Sequence, residues 1–221
     1  SRCTLLCGDR DMQYYFAPLE GLTDRIYRNL HHKYFPGVDR YYTPFFSPTV
    51  HRTLTPRESK ELPFAEELDA FVVPQLLTKV AADFTWMAHQ CAQRGYKEVN
   101  LNTGCPSGTV TAKGKGSGML RDPAALDAFL ETYMSRIVHV HIKDVLYGPT
   151  PEGMPDSIYT LKGNYFWPVA LGAGGMDHEK YVTALEKAGY RGIYSLEYGA
   201  PTDDSPLLEE TMDTLAGWFR K

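Results

Sequence analysis

The sequence predicts an α/β fold of the (β/α) TIM-type barrel class, incomplete at about six to seven strands. Three observations predict it. Apolar and aromatic runs of strand length alternate with stretches of helical period, joined by short links, as in parallel sheets with helical crossovers. Polar residues stand at the C-terminal ends of several runs, where barrel sites are built. No G-x-G-x-x-G follows the first strand, so a dinucleotide-binding doubly wound sheet lacks its fingerprint.

Strands are expected at 14–19 (YYFAPL), 40–46 (RYYTPFF), 71–77 (FVVPQLL), 98–103 (EVNLNT), 137–145 (IVHVHIKDV) and 193–198 (IYSLEY), with a weaker one at 167–171 (WPVAL). Helix 82–94 follows from Phe84, Met87, Ala88, Cys91 and Ala92 at helical spacing and from Gly95 as a C-terminal stop. Helix 122–134 has Asp122 as N-cap, Pro123 in its first turn, and Leu126, Phe129, Leu130 and Tyr133 as its stripe. Helix 178–188 is expected to bury Tyr181, Leu185 and Ala188 and to stop at Gly189. Helix 205–220 opens on Ser205 and Pro206 and carries Leu207, Leu208, Thr211, Met212, Leu215, Trp218 and Phe219. Segment 146–168, rich in Gly and Pro, reads as a long irregular loop or a misread element.

Composition is that of an ordinary globular chain: 221 residues, 43% hydrophobic and 23% charged. The apolar runs are too short to span a bilayer, so no membrane partner is expected. Residues 1–13 read as a disordered lead-in with Met12 as a candidate start, and no charged run followed by an apolar one marks a secretory signal. The four cysteines, Cys3, Cys7, Cys91 and Cys105, fit no Cys-x-x-Cys pattern. Such usage suits a reducing, cytoplasmic compartment. A net charge of −4 argues against a dedicated nucleic-acid binder, although Lys113, Lys115 and Arg121 cluster after Cys105.

Two stretches carry chemistry. In Val99-Asn100-Leu101-Asn102-Thr103-Gly104-Cys105-Pro106, strand alternation sends Asn100 and Asn102 to one side and Val99 and Leu101 to the other. Cys105 then sits above the strand end, where a thiol can act as a general acid or, beside a base, as a nucleophile. Taken alone, the Gly-Cys-Pro turn fits a buried structural Cys better. The run Lys113-Gly114-Lys115-Gly116-Ser117-Gly118 lacks Walker A spacing. In Val138-His139-Val140-His141-Ile142-Lys143-Asp144, His139, His141 and Lys143 share one face. Ser195 and Glu197 share a face of strand 193–198. His141 and Glu197 facing one lumen could join in a hydrogen bond or begin a divalent-metal site, which ordinarily needs three or four protein ligands.

Residues 14–133 resemble the tRNA-dihydrouridine synthase family. The resemblance is carried by Phe16-Ala17-Pro18-Leu19-Glu20-Gly21-Leu22-Thr23-Asp24, Val73-Pro74-Gln75-Leu76, Asn100 to Ser107, and Gly114-Lys115-Gly116-Ser117-Gly118-Met119-Leu120. It implies a flavin-binding barrel that reduces uridine in tRNA with FMN and with NADPH as donor. It implies Cys105 as the acid that protonates the uracil ring. Gln75 and Asn102 would hold the flavin ring, and Ala17, Pro18 and Leu19 would line its face. The family's later Lys and His strands have no counterpart here.

Residues 137–221 resemble the xylose isomerase-like family of sugar isomerases and epimerases, through Val138 to Asp144, Leu171-Gly172-Ala173-Gly174-Gly175-Met176-Asp177, and Gly189 to Glu197. That resemblance implies His141 and Glu197 as ligands of a divalent metal, Mn or Zn, acting on a small sugar. The Leu171–Asp177 loop could instead stand in for the synthase family's phosphate grip. The chain thus reads as a chimera: a lead-in at 1–13, a synthase-like half-barrel at 14–134 and an isomerase-like segment at 135–221. The expected function is uridine reduction in tRNA, impaired by the missing strands. The alternatives are a metal-dependent sugar isomerase and an inactive composite barrel. An unclosed barrel leaves an edge that invites a homodimer.

Overall fold

In a computed structural model the described residues are 13–68, 70–149, 158–159, 165–197 and 205–219. Residues 1–12 of the expected lead-in, with Cys3 and Cys7, lie outside them. Two compact units, Ser1–Thr103 and Gly104–Lys221, divide the chain.

The first unit runs β1 (Tyr15–Phe16), α1 (Arg25–Tyr34), β2 (Arg40–Tyr42), α2 (Pro56–Glu61), β3 (Val72–Val73), β4 (Gln75–Leu76), α3 (Ala81–Gln93) and β5 (Asn100–Leu101). The strands pair in parallel in their order along the chain, β1 with β2, β2 with β3, and β4 with β5. All are shorter than expected. Prolines explain this in the first three runs: Pro18, Pro44 and Pro74 have no N–H to give a ladder. Pro74 divides the expected strand 71–77 into β3 and β4, and a bridge between Phe46 and Leu76 carries the pairing past it.

Tyr41, Val73, Leu76, Met87 and Cys91 form a nearly solvent-free core. Cys91 packs inside as expected, and burial pushes its thiol up to about 12. Gly95 ends α3 at a φ of 87°. Helix α1 was not expected, yet its signal is local: Asp24 caps it, accepting from Tyr27 N at 2.8 Å. The α2 signal is equally local, a capping box between Thr55 and Glu58.

The second unit runs α4 (Gly108–Thr111), α5 (Pro123–Tyr133), β6 (His139–Ile142), β7 (Val145–Gly148), β8 (Ile158–Tyr159), β9 (Tyr165–Pro168), α6 (His178–Lys187), β10 (Ile193–Leu196) and α7 (Ser205–Trp218). β6 and β10 pair in parallel. Ile142, Leu171, Val182 and Leu215 make the buried cluster beneath them, each contributing roughly 1.5–3 kcal/mol by leaving water.

Three expectations are corrected here. Segment 146–168 is not simply a loop: β7, β9 and β8 form an antiparallel sheet in which Val145 pairs with Pro168 and Gly148 with Tyr165. The weak strand expected at 167–171 is therefore β9, an antiparallel strand rather than a barrel stave. Helix α6 buries His178, Val182 and Leu185 and leaves Ala188 exposed. Its inner stripe begins at the first helical residue, a histidine rather than an apolar side chain. Among the described residues no sheet closes on itself, and the barrel-like pairing is confined to parallel sheets of three, two and two strands.

Candidate functional site

The first unit builds a fixed set of amide groups. β4 and β5 pair with Gln75 opposite Asn100. Gln75 Nε2 donates to Asn100 Oδ1 at 3.0 Å, and Asn102 Nδ2 donates to Gln75 Oε1 at 2.9 Å. Alternation along strand 98–103 puts both asparagines on one face, as expected, so a single glutamine reaches both. Two bonds hold its amide in one orientation, leaving one N–H of Nε2 beyond the bond to Asn100. Ala17, Pro18 and Leu19 follow β1. Thr23 ties their end down, its Oγ1 accepting from Leu19 N at 2.7 Å. Ala17 and Leu19 are exposed there and Pro18 is half-buried.

The second unit fixes Cys105. Its thiol is half-exposed. The Cys105 carbonyl accepts from Ser117 N at 3.1 Å and from Ser117 Oγ at 3.2 Å. Gly116, at a φ of 56°, lies so close that a Cβ would stand 2.6 Å from the Cys105 carbonyl and 2.9 Å from Val110 Cγ1. The glycine-rich run at 113–118 is thus a clamp on the cysteine loop. It allows an approach that only glycine permits.

On β6 and β10, His139 Nε2 lies 2.6 Å from Ser195 Oγ, and the His139 and His141 rings pack at 4.4 Å between centroids. Desolvation holds the His141 imidazole below its ordinary value, partly countered by the charge of Glu197. The Glu197 carboxylate accepts from Lys143 Nζ at 3.0 Å. Among the described residues, no three His, Cys, Asp or Glu side chains come together as a metal site needs.

Asp144, at the end of the His139–Ile142 strand, has no role that alternation or spacing predicts. Among the described residues of this unit it is the most deeply buried carboxylate, 2% exposed. Its Oδ2 accepts from Gly172 N at 2.9 Å and Gly174 N at 3.1 Å, and its Oδ1 lies 3.6 Å from His178 Nε2. A Cβ on Gly174 would overlap the carboxylate. Burial alone would raise this carboxyl, but His178 and the two glycine amides outweigh it and hold the group below the usual range. The Leu171–Asp177 loop thus spends its Gly172 and Gly174 amides on an internal anion, which leaves a phosphate grip there without support. The signal was present in the sequence: an acid at a strand end, followed by a Gly-x-Gly loop before a helix.

The dihydrouridine synthase family model matches residues 15–142, and the model of xylose isomerase-like TIM barrels matches residues 86–221. A probable tRNA-dihydrouridine synthase 1 from Synechocystis sp. is 30% identical over 124 residues, covering 55% of this chain and 33% of its own length. A tRNA-dihydrouridine(20/20a) synthase from Xylella fastidiosa is 32% identical over 137 residues, covering 60% and 38%. A tRNA-dihydrouridine(16) synthase from Pseudomonas putida is 28% identical over 201 residues, covering 87% and 59%. The chain therefore spans between a third and three-fifths of the length of these relatives. A crystal structure of a xylose isomerase domain protein from Planctomyces limnophilus aligns with a TM-score of 0.49 at 21% identity, over 82% of this chain and 60% of that one.

Proposed function

This chain belongs to the dihydrouridine synthase family through residues 15–142 and to the xylose isomerase-like TIM barrels through residues 86–221, and on that footing we propose that it reduces uridine in tRNA to dihydrouridine. The observation that carries the reading is the Gln75 amide, locked between Asn100 and Asn102. A rigid donor and acceptor set fits the polar edge of a flat heteroaromatic ring. Gln75 and Asn102 would hold the ring of FMN in this reading, and Ala17, Pro18 and Leu19 would line it. A bound flavin, recharged by NADPH, would supply a hydride to one carbon of the uracil double bond. The Cys105 thiol delivers the proton to the neighbouring carbon, which completes the two-hydrogen reduction. The Ser117 clamp keeps the loop of that thiol from drifting. Cys91 takes no part, since burial keeps its thiol protonated and out of reach.

The Leu171–Asp177 loop would not hold the FMN phosphate, since the Asp144 carboxylate already takes the Gly172 and Gly174 amides and would repel a second anion. The partner in this reading is tRNA, the setting is cytoplasmic, and turnover is impaired. The sugar isomerase reading keeps His141 and Glu197 as Mn or Zn ligands, and no third ligand among the described residues favours it.

The test is anaerobic. Protein loaded with FMN and reduced by NADPH is mixed with unmodified tRNA and then with fully modified tRNA. The reading expects rapid reoxidation of the flavin by the first and not by the second. Equal rates with both would overturn it.

A further inference from the structure

We infer that this chain associates with a second copy of itself through the outer face of α1. The helix is amphipathic in an unusual sense. Its inner face is polar: Arg28 is 1% exposed, donating to Thr23 O at 2.7 Å and to Glu61 Oε2 at 3.3 Å, and His31 packs on Phe16 and Tyr41. Its outer face is apolar. Ile26, Leu30 and Tyr34 succeed one another at four-residue spacing and are 66%, 51% and 65% exposed. Leu22, just ahead of the cap, and Phe35, just past the helix, are 62% and 64% exposed. Through Ile26 the stripe runs into a groove of about 660 Å³ that Pro63 and the half-exposed Phe64 also line.

Leu22, Ile26, Leu30, Tyr34, Phe35 and Phe64 together offer on the order of 600 Å² of apolar surface, at about half the area each such side chain buries when covered. That is the upper end of what a monomer leaves open, and it approaches the roughly 800 Å² per partner of a stable interface.

The charges select the occupant. A nucleic acid would need a basic stripe; among the described residues Lys33 is the cation beside Ile26, Leu30 and Tyr34, and the Arg25, Lys60 and Arg94 that line the groove stand there with the acids Glu61 and Glu67. Two antiparallel copies of α1, related by a two-fold near Arg28, set position 26 against 30 and position 22 against 34. The same operation brings the Asp24 carboxylate beside the Lys33 ammonium at both ends, and opposes the two helix dipoles. A self-complementary stripe with acid at one end and base at the other fits its own copy.

Sedimentation velocity between about 5 and 100 μM is the test, with a dimer dissociation constant on the order of 10 μM expected. The Ile26→Glu/Leu30→Glu double variant is expected to sediment as a monomer throughout, with an unchanged circular dichroism spectrum. Should that variant fail to fold, Lys33→Glu serves: it is expected to weaken the dimer severalfold, less so at high salt. A wild-type monomer at every concentration would overturn the inference. So would a dimer that either folded variant leaves intact.

Discussion

Asn102 Nδ2 donates to Gln75 Oε1 at 2.9 Å, while the same glutamine donates from Nε2 to Asn100 Oδ1 at 3.0 Å. Three amides thereby orient one another, and changing one disturbs the rest. Gln75→Leu is expected to lower FMN affinity by about ten- to a hundredfold, the cost of one or two unmade hydrogen bonds. Fluorescence titration with free FMN measures it. Affinity within twofold of wild type would remove Gln75 from the flavin site.

Gly116→Ala probes the clamp on Cys105. The new methyl meets the Cys105 carbonyl at 2.6 Å, on a backbone that L side chains disfavour. The variant is expected to lose about 1–3 kcal/mol of stability and, by shifting the thiol, about a hundredfold in uridine reduction. Retained FMN with lost turnover is the expected signature. Normal turnover would show that the glycine run does not position the cysteine.

Asp144 supplies a pH dependence with a definite sign. Its carboxyl is held below the ordinary carboxylate value, so its stabilisation is complete above the unfolded value of about 3.9. It fades as pH falls through the lower folded value. Asp144→Asn keeps the shape but gives up the charge on the Gly172 and Gly174 amides, and is expected to cost about 1.5–3 kcal/mol at pH 7. Urea unfolding should show the gap between the two proteins closing in acid. A gap that stayed constant would mean Asp144 is not the titrating group.

How much of this was legible in the sequence depends on the range of the interactions. The stops at Gly95 and Gly189 and the Asp122 cap are set within a few residues, and were read correctly. The antiparallel β7–β9 pairing joins residues about twenty apart across a Gly- and Pro-rich stretch, and no local signal sets that register. The inverted burial of α1 could not be read from periodicity, which assigns apolar stripes inward. The face of strand 98–103 was readable from alternation. Only the pairing of β4 with β5 brings Gln75 to both asparagines.

The Arg28–Glu61 pair tests that inversion. Arg28 is buried, and Glu61 Oε2 also accepts from Arg25 N at 2.9 Å. Glu61→Ala leaves a guanidinium without its anion. With Glu61 partly exposed, the expected loss is about 2–4 kcal/mol, below that of a fully buried pair. Chemical denaturation measures it, and a loss under about 0.5 kcal/mol would place Arg28 in water.

The central claim is that Cys105 completes the reduction of uridine in tRNA. The most direct measurement is the dihydrouridine content of a digest of unmodified tRNA after incubation with protein, FMN and NADPH, for wild type and for Cys105→Ala. The account predicts dihydrouridine with the wild type, and a loss of about a hundredfold or more in the variant although FMN stays bound. Equal dihydrouridine from both proteins, or none from a wild type that retains FMN, would contradict it.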